Sequence, residues 1–433
     1  MAVKSAKSDD WLSGRHRSLL GNAQPILFLL LTKEKNPSKF PAMRPTPRAE
    51  TFPVNTPAAS QVFTTVLSQG PLPRLEVARR VGLSPAAVTK AVRPLIEAGY
   101  LVEGVDEEAR PALGRPANLV RVDGGRALFI GVKVTGDEII GVLTDLCCRI
   151  RVARHLPLPG RDPRTVLAGI AELTRKLLAE TNGSTAPVLG LGIAVSGDVD
   201  RAEGTVRYSP FLEWRDVPLA ELAAMTTGLP VTVDNDVRAL TVAEQWFGAG
   251  VGLSDFAVVT VGAGIGCGLV VHGRVDAGAH GVAGEIGHVT VDPAGPLCHC
   301  GNRGCVEAIA GEAAILRQIR EATGELPDAE AALALAREGV AAARDVYARA
   351  GEAIGRGIAT VANLLGPERV IISGEGLAAY DLFAEQIRDA FVAAAFGSAA
   401  QCDVRTHPLP FDEWARGAAA TAIQSFIGPD TSR

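Results

Sequence analysis

Cysteine is scarce in this chain, with seven in 433 residues. That is too few for a disulfide framework, and the length allows an ample hydrophobic core instead. Long apolar runs are scarce as well. The longest near the start, PILFLLL at residues 25–31, is far too short to span a bilayer. Charge follows it where a small-residue cleavage site would stand, which excludes an ordinary secretory signal. These absences predict a cytoplasmic protein with no membrane partner. Residues 1–50 otherwise lack a repeating apolar face, so they are expected to be disordered, and Met43 offers an alternative start.

What is present is an ordinary globular composition, 47% hydrophobic and 21% charged, long enough for two to three domains. The net charge of −5 is unevenly placed. Residues 1–122 hold 17 Lys and Arg against 10 Asp and Glu, or +7, which leaves −12 for the remainder. A basic front on an acidic body suits an anionic partner at the front.

The front reads as a small DNA-binding unit at residues 51–122. AASQVFTTVLSQG is an amphipathic helix closed by Gly70. In PLPRLEVARRVG, residues Leu75, Val77, Ala78 and Val81 form an apolar face, and Gly82 ends the helix. In LSPAAVTKAVRPLIEAGYL, Ser84 is an N-cap, Pro85 sits at the first helical position, and Val88, Val92, Leu95 and Ile96 recur at helical spacing before Gly99 as C-cap. Pro94 should kink this helix. Two helices joined by VGLS make a helix-turn-helix, whose second helix enters the major groove. Ser84, Pro85, Ala86, Ala87, Thr89, Lys90 and Arg93 would face the DNA. LVEGVDEEARPALGRPANLVRV then reads as two strands around a polar tip, with Arg110 and Arg115 placed to touch the backbone or minor groove.

From Ala127 strands alternate with helices and glycine-rich turns, an α/β pattern. GIAVSGDVD, SPFLEW, VDNDV, GAGIGCG, GEIGHVTVDPAGPLCHCGNRGCVE and ISGEG follow one another in that order. This series resembles the ROK family (repressors, open reading frames, kinases) across residues 58–428. The helix-turn-helix and the GRPA of the wing resemble its repressor branch. The resemblance implies a winged helix-turn-helix followed at residues 124–430 by an actin-like, ribonuclease-H-like domain of two lobes with a sugar cleft between them. It also implies a homodimer or homotetramer.

The resemblance further implies one structural zinc held by His288, Cys298, Cys300 and Cys305. The residue types agree, because three thiolates and an imidazole close a tetrahedron and leave no position for catalytic water. His299, between two ligands, is expected to face solvent. Implied sugar contacts are Asn235, Asp236, Glu285, His288 and Glu307. Such groups suit a ring of hydroxyls and reject wrong stereochemistry when left unpaired. Asp236 stands where the family's kinases keep their general base.

The phosphate loops depart from those kinases. A DIGGT-type turn is expected where KVTGD stands, so that Lys133 replaces the metal-holding Asp, Thr135 a Gly, and Asp137 the Thr. The second loop reads Gly262-Ala263-Gly264 and lacks a hydroxyl, Ser196 replaces a common proline, and Arg238 a common Asn. An acid facing a triphosphate without its metal is repulsive. The sequence therefore predicts a sugar-responsive transcriptional repressor that binds operator DNA and a sugar or sugar-phosphate effector without using ATP. The alternative is a sugar kinase, glucokinase-like, that carries a DNA-binding domain.

Overall fold

The computed structural model describes residues 51–53, 56–105, 118–181, 183–324 and 327–428. The N-terminal segment to residue 50 and the wing tip with Arg110 and Arg115 lie outside them.

Thr56 caps the first helix, α1 (Pro57–Gln69), by accepting from the Ala59 amide at 3.3 Å. A two-residue strand, β1 (Leu72–Pro73), leads into α2 (Arg74–Val81), which Gly82 closes in the left-handed conformation. Ser84 caps α3 (Pro85–Glu97) through the Ala87 amide at 3.2 Å, with Pro94 inside the helix. The C-cap is Ala98 and not Gly99 as expected, and Gly99, with φ +76°, turns the chain just beyond it. The strands β2 (Leu101–Val105) and β3 (Asn118–Val122) pair antiparallel, and β1 joins the far side of β3. Val77, Ala78 and Val81 of α2 are buried, but Leu75 is 71% exposed. It lies two residues before Val77, about 200° around the helix and away from the stripe.

The body contains one arrangement twice. The strands β4 (Leu128–Val134), β5 (Glu138–Asp145) and β6 (Ile150–Pro157) form an antiparallel meander. After α4 (Pro163–Ala179), β7 (Val188–Val195) runs parallel to β4. A small sheet of β8 (Asp198–Asp200), β9 (Thr205–Ser209) and β10 (Trp214–Val217) and the helix α5 (Leu219–Thr227) come next. The strand β11 (Val231–Asn235) then joins β7 and feeds α6 (Asp236–Phe247). The sheet order is β11-β7-β4-β5-β6.

The second lobe repeats it with β12 (Phe256–Val261), β13 (Ile265–Val271), β14 (Arg274–Asp276), β15 (Arg369–Ser373) and β16 (Asp403–Thr406), in the order β14-β13-β12-β15-β16. Its helices are α7 (Val306–Ala310), α8 (Glu312–Thr323), α9 (Ala329–Arg337), α10 (Ala341–Leu365) and α11 (Tyr380–Ala394). This duplication of a mixed sheet is the two-lobed α/β fold expected of the body.

The final helix, α12 (Asp412–Ile427), returns to the first lobe. A Cβ on Gly131 would meet Ala415 O at 1.9 Å, and one on Gly192 would meet Ala418 O at 1.8 Å. Only glycine in these strands lets the alanine-rich helix lie so close. The same helix closes the core of the N-terminal module. Phe426 packs edge-on against Phe52 and Phe129, with ring centroids 5.6 Å apart in each case, and lies 6.0 Å from Tyr100. The Ser60 hydroxyl of α1 donates to Ile427 O at 3.3 Å. The winged helix-turn-helix therefore shares one hydrophobic core with the first lobe.

Among the described residues, no helix is long and apolar enough to cross a membrane.

Candidate functional site

A cleft of about 690 Å³ opens between the two repeated sheets. Its floor is the N-terminus of α6. Asn235 is the N-cap, its side-chain oxygen accepting from the amides of Val237 at 3.0 Å and Arg238 at 3.1 Å. Its amide group donates to Gly197 O at 3.0 Å, so one N–H remains for a ligand.

Asp236 follows, almost wholly buried. One of its oxygens receives both the Lys133 ammonium and, at 2.5 Å, the Ser196 hydroxyl. Burial would raise this carboxyl, but the charge and hydrogen bond of Lys133, together with Ser196, outweigh it and hold the group below the usual carboxylate range. Lys133 itself projects from β4 and lies 5.3 Å from the ring of Trp414, in the first turn of α12. Residues 133 and 196 were both singled out as departures from a kinase. The structure joins them on the side chain that would be the base.

The two turns that were expected to correspond to kinase phosphate loops make hydrogen bonds within the protein. In the first, the Thr135 hydroxyl donates to Asp137 at 2.9 Å and accepts from the Glu138 amide at 3.0 Å. In the second, the Ala263 amide donates to Glu375 Oε1 at 2.9 Å, and the Ile265 amide donates to Glu307 Oε2 at 3.0 Å. A Cβ on Gly262 would lie 2.1 Å from Glu375, so the carboxylate sits directly over the turn. Sequence reading took ISGEG as a glycine turn and missed Glu375. No local pattern signals a contact made across 112 residues.

The remaining expected sugar contacts also line the cleft. Burial, and then the charge of Glu307, raise the Glu285 carboxyl above its usual value. His288 presents Nε2 toward Glu285 at 3.9 Å and Nδ1 toward Cys298 Sγ at 3.6 Å. His299 is exposed, as expected, and faces the cleft as well as solvent. It lines the cleft, with Nδ1 3.3 Å from Glu307 and its ring edge-on to His288 at 4.9 Å.

The cysteine loop is shaped to hold a metal. Ligand atoms of His288, Cys298 and Cys300 lie within 4.8 Å of one another. Cys305 Sγ is 3.7 Å from Cys300 Sγ. A tetrahedron with metal–sulfur bonds of about 2.3 Å has edges of roughly 3.8 Å, so these separations fit. Gly301 (φ +94°) and Gly304 (φ +62°) turn the loop, and a Cβ on Gly304 would collide with Asp292 O at 1.5 Å. The Asn302 amide lowers the Cys300 thiol, which favours the thiolate that a metal needs.

On the outer surface of α3, Ser84, Ala86, Thr89, Lys90 and Arg93 are exposed and Ala87 is half-buried. Lys90 has no ion-pair partner among the described residues, whereas Arg93 is tied to Glu97 at 2.8 Å.

The sequence of the body matches the ROK family model over residues 129–425. The chain belongs to the ROK family. Residues 65–102 match a winged helix-turn-helix DNA-binding model, which fits the exposed α3. The chain is 31% identical over 326 residues to the N-acetylglucosamine repressor of Shigella flexneri, covering 73% of this chain and 80% of that protein. It is 36% identical over 262 residues to the glucokinase of Thermotoga maritima, covering 57% of this chain and 81% of that one. Among solved structures, a ROK family transcriptional regulator described as a homolog of E. coli MLC superposes with a TM-score of 0.73 at 28% identity, covering 85% of this chain and 95% of that one. The ROK regulator shares the fold from the N-terminal module onward, while the likeness to the glucokinase is confined to a shorter stretch.

Proposed function

We propose that this ROK protein is a sugar-responsive repressor that binds operator DNA through α3 and holds its effector in the cleft without transferring phosphate. The observation that carries the reading is the state of the phosphate-transfer groups. Asp236, at the position of the base, is held by Lys133, and the Ala263 amide is held by Glu375. A carboxylate receiving an ammonium and a hydroxyl is a poor proton acceptor. A turn covered by Glu375 repels a phosphate instead of cradling it. Asn235, Asp236, Glu285, His288 and Glu307 would then hold sugar hydroxyls without activating them. The protein works in the cytoplasm as a homodimer or homotetramer, which would place two copies of α3 on a two-fold operator.

His288, Cys298, Cys300 and Cys305 would hold one zinc, whose chemistry here is to brace the loop. His288 could face metal with Nδ1 and sugar with Nε2, and Glu307 follows two residues after Cys305 at the start of α7. The route to DNA runs along α12. Trp414 touches Lys133 at one end of that helix, and Phe426 packs among the aromatics of the N-terminal module at the other. A sugar changes DNA affinity only as far as it prefers one arrangement of these parts.

The test is a thermal-shift screen against sugars, with and without Mg-ATP, followed by operator binding with each hit. A ligand at about a hundred times its Kd stabilises by roughly 2.7 kcal/mol. The reading expects a shift from a sugar, none from ATP, and weaker operator binding with the sugar. A shift from ATP that a sugar enhances, with release of ADP, would put the kinase alternative ahead.

A further inference from the structure

Positive charge gathers at one place on an otherwise acidic body. Residues 123–433 carry a net −12, yet a second cavity, of about 530 Å³, is lined by four arginines, Arg121, Arg149, Arg151 and Arg416, and by one carboxylate, Asp145. It lies where the DNA-binding module, the first lobe and α12 meet. The end of α1 and Arg121 of β3 come from the module, Arg149 and Arg151 from the turn into β6, and Arg416 from α12.

The protein itself answers only two of these cations. Asp145 is buried, and both of its oxygens are engaged. Oδ1 accepts from the Arg149 backbone amide at 3.0 Å, and Oδ2 from the Arg151 guanidinium at 2.8 Å. Arg416 is paired with Glu413 on its own helix. The side chains of Arg121 and Arg149 have no ion-pair or hydrogen-bond partner among the described residues. Like charges around one cavity repel unless an anion is shared between them. In the cleft, by contrast, Lys133 and Arg238 are both committed to carboxylates.

The rest of the lining narrows the chemistry. Trp246 and Phe247, at the end of α6, give the cavity an apolar wall. Guanidinium forks match phosphate oxygens in pairs, and an apolar wall suits a carbon skeleton attached to them. We propose that this cavity is a ligand site of its own, apart from the cleft, that binds the phosphate monoester of a small organic molecule between Arg121 of the DNA-binding module and Arg149 of the first lobe. The ester joins the two parts through its charge. DNA also offers phosphates, but α3, the helix exposed to read it, contributes no residue to the cavity.

The experiment is titration calorimetry on the full chain in low salt at about pH 7.5, where a phosphate monoester is a dianion. The probes are inorganic phosphate, glycerol 3-phosphate and glucose 6-phosphate, with glycerol and glucose as their neutral counterparts. One ester should bind more tightly than inorganic phosphate. Arg121→Gln and Arg149→Gln should each weaken it about tenfold, the loss of a charge-assisted hydrogen bond. Arg154→Gln, outside the cavity and held by Glu180 at 2.9 Å, should change it less than about twofold. The ester should also alter tryptophan fluorescence, and Trp246→Phe should remove that change. The proposal is overturned if neither ester binds, if inorganic phosphate binds as tightly as both esters, or if the two cavity variants keep the parent affinity. Equal weakening by Arg154→Gln would also overturn it, by assigning the binding to diffuse charge. Operator binding without phosphate should keep its salt slope in Arg149→Gln. A slope lower by about 1 would assign the arginine to the DNA backbone and overturn the proposal as well. The sugar reading stands apart from all of these results, because a neutral sugar in the cleft tests it alone.

Discussion

Replacing Lys133 by Met leaves Asp236 buried without its counter-charge. Opposite charges about 4 Å apart at an effective dielectric near 20 attract by about 4 kcal/mol. Breaking a buried pair by removing one partner costs about 3–5 kcal/mol. Asp236 keeps the Ser196 hydroxyl at 2.5 Å and its own Val237 amide at 2.9 Å, so a loss of about 3 kcal/mol at neutral pH is expected. The pH dependence separates this from a packing defect. In the parent, the folded value of Asp236 is depressed. Its contribution is present above the unfolded value of about 3.9 and is lost as pH falls through the folded one. Without Lys133, burial, already the largest single influence, is no longer outweighed and raises the group. Its contribution is then present below the unfolded value and is lost as pH rises through the new folded one. The penalty of the variant should therefore be full at about pH 7, partly relieved at about pH 4, where its own carboxyl is neutral but the parent still keeps the ion pair, and smallest below the parent's depressed folded value. Urea unfolding followed by tryptophan fluorescence at the two pH values measures it, and Lys133→Met/Asp236→Asn should recover most of the neutral-pH loss. A penalty under about 0.5 kcal/mol at pH 7, or one equal at both pH values, would refute the reasoning.

Three further outcomes are expected. Cys300→Ser should lower zinc content, measured by elemental analysis from one ion per chain, and abolish the sugar response; unchanged sugar affinity would break the link between loop and cleft. Lys90→Ala should weaken DNA binding across sequences and reduce the salt slope by about 1. Arg93→Ala should lose less, since Glu97 already holds its guanidinium; fluorescence anisotropy over a salt series ranks the two. Ser84→Ala should cost about 1 kcal/mol by removing the cap on α3, and a thermal melt showing no change would mean that solvent serves the Ala87 amide equally well.

The helix-turn-helix was legible because its signals are local. Ser84, Pro85, Gly82 and the Val88–Val92–Leu95 stripe each act within a turn or two of chain. The glycine turns and the alternation of strand and helix were legible for the same reason. Leu75 was misassigned because a three-member stripe on a helix of 8 residues leaves its phase open. The strand β1 escaped notice, as two residues carry no periodicity. In the cleft, residue types pointed to Asp236 and Glu307, but their partners are chosen by tertiary structure. Lys133 reaches Asp236 across 103 residues, and Phe426 meets Phe52 from the opposite end of the described chain. His299 was placed by its neighbours in sequence, whereas Glu307 and His288 determine where its ring lies.

The position of α12 bears on how the protein is made. The helix-turn-helix is synthesised early, yet Phe426 and Ile427, which cover its inner aromatics, follow more than 300 residues later. At ordinary translation rates that interval is roughly 20–70 s. Throughout it, Phe52, Phe63 and Tyr100 face the nascent chain or a chaperone instead of their native neighbour. The part that reads DNA is thus completed more than 300 residues after it is made, so a chain cut short before Asp412 would lack the inner wall of its own reading head.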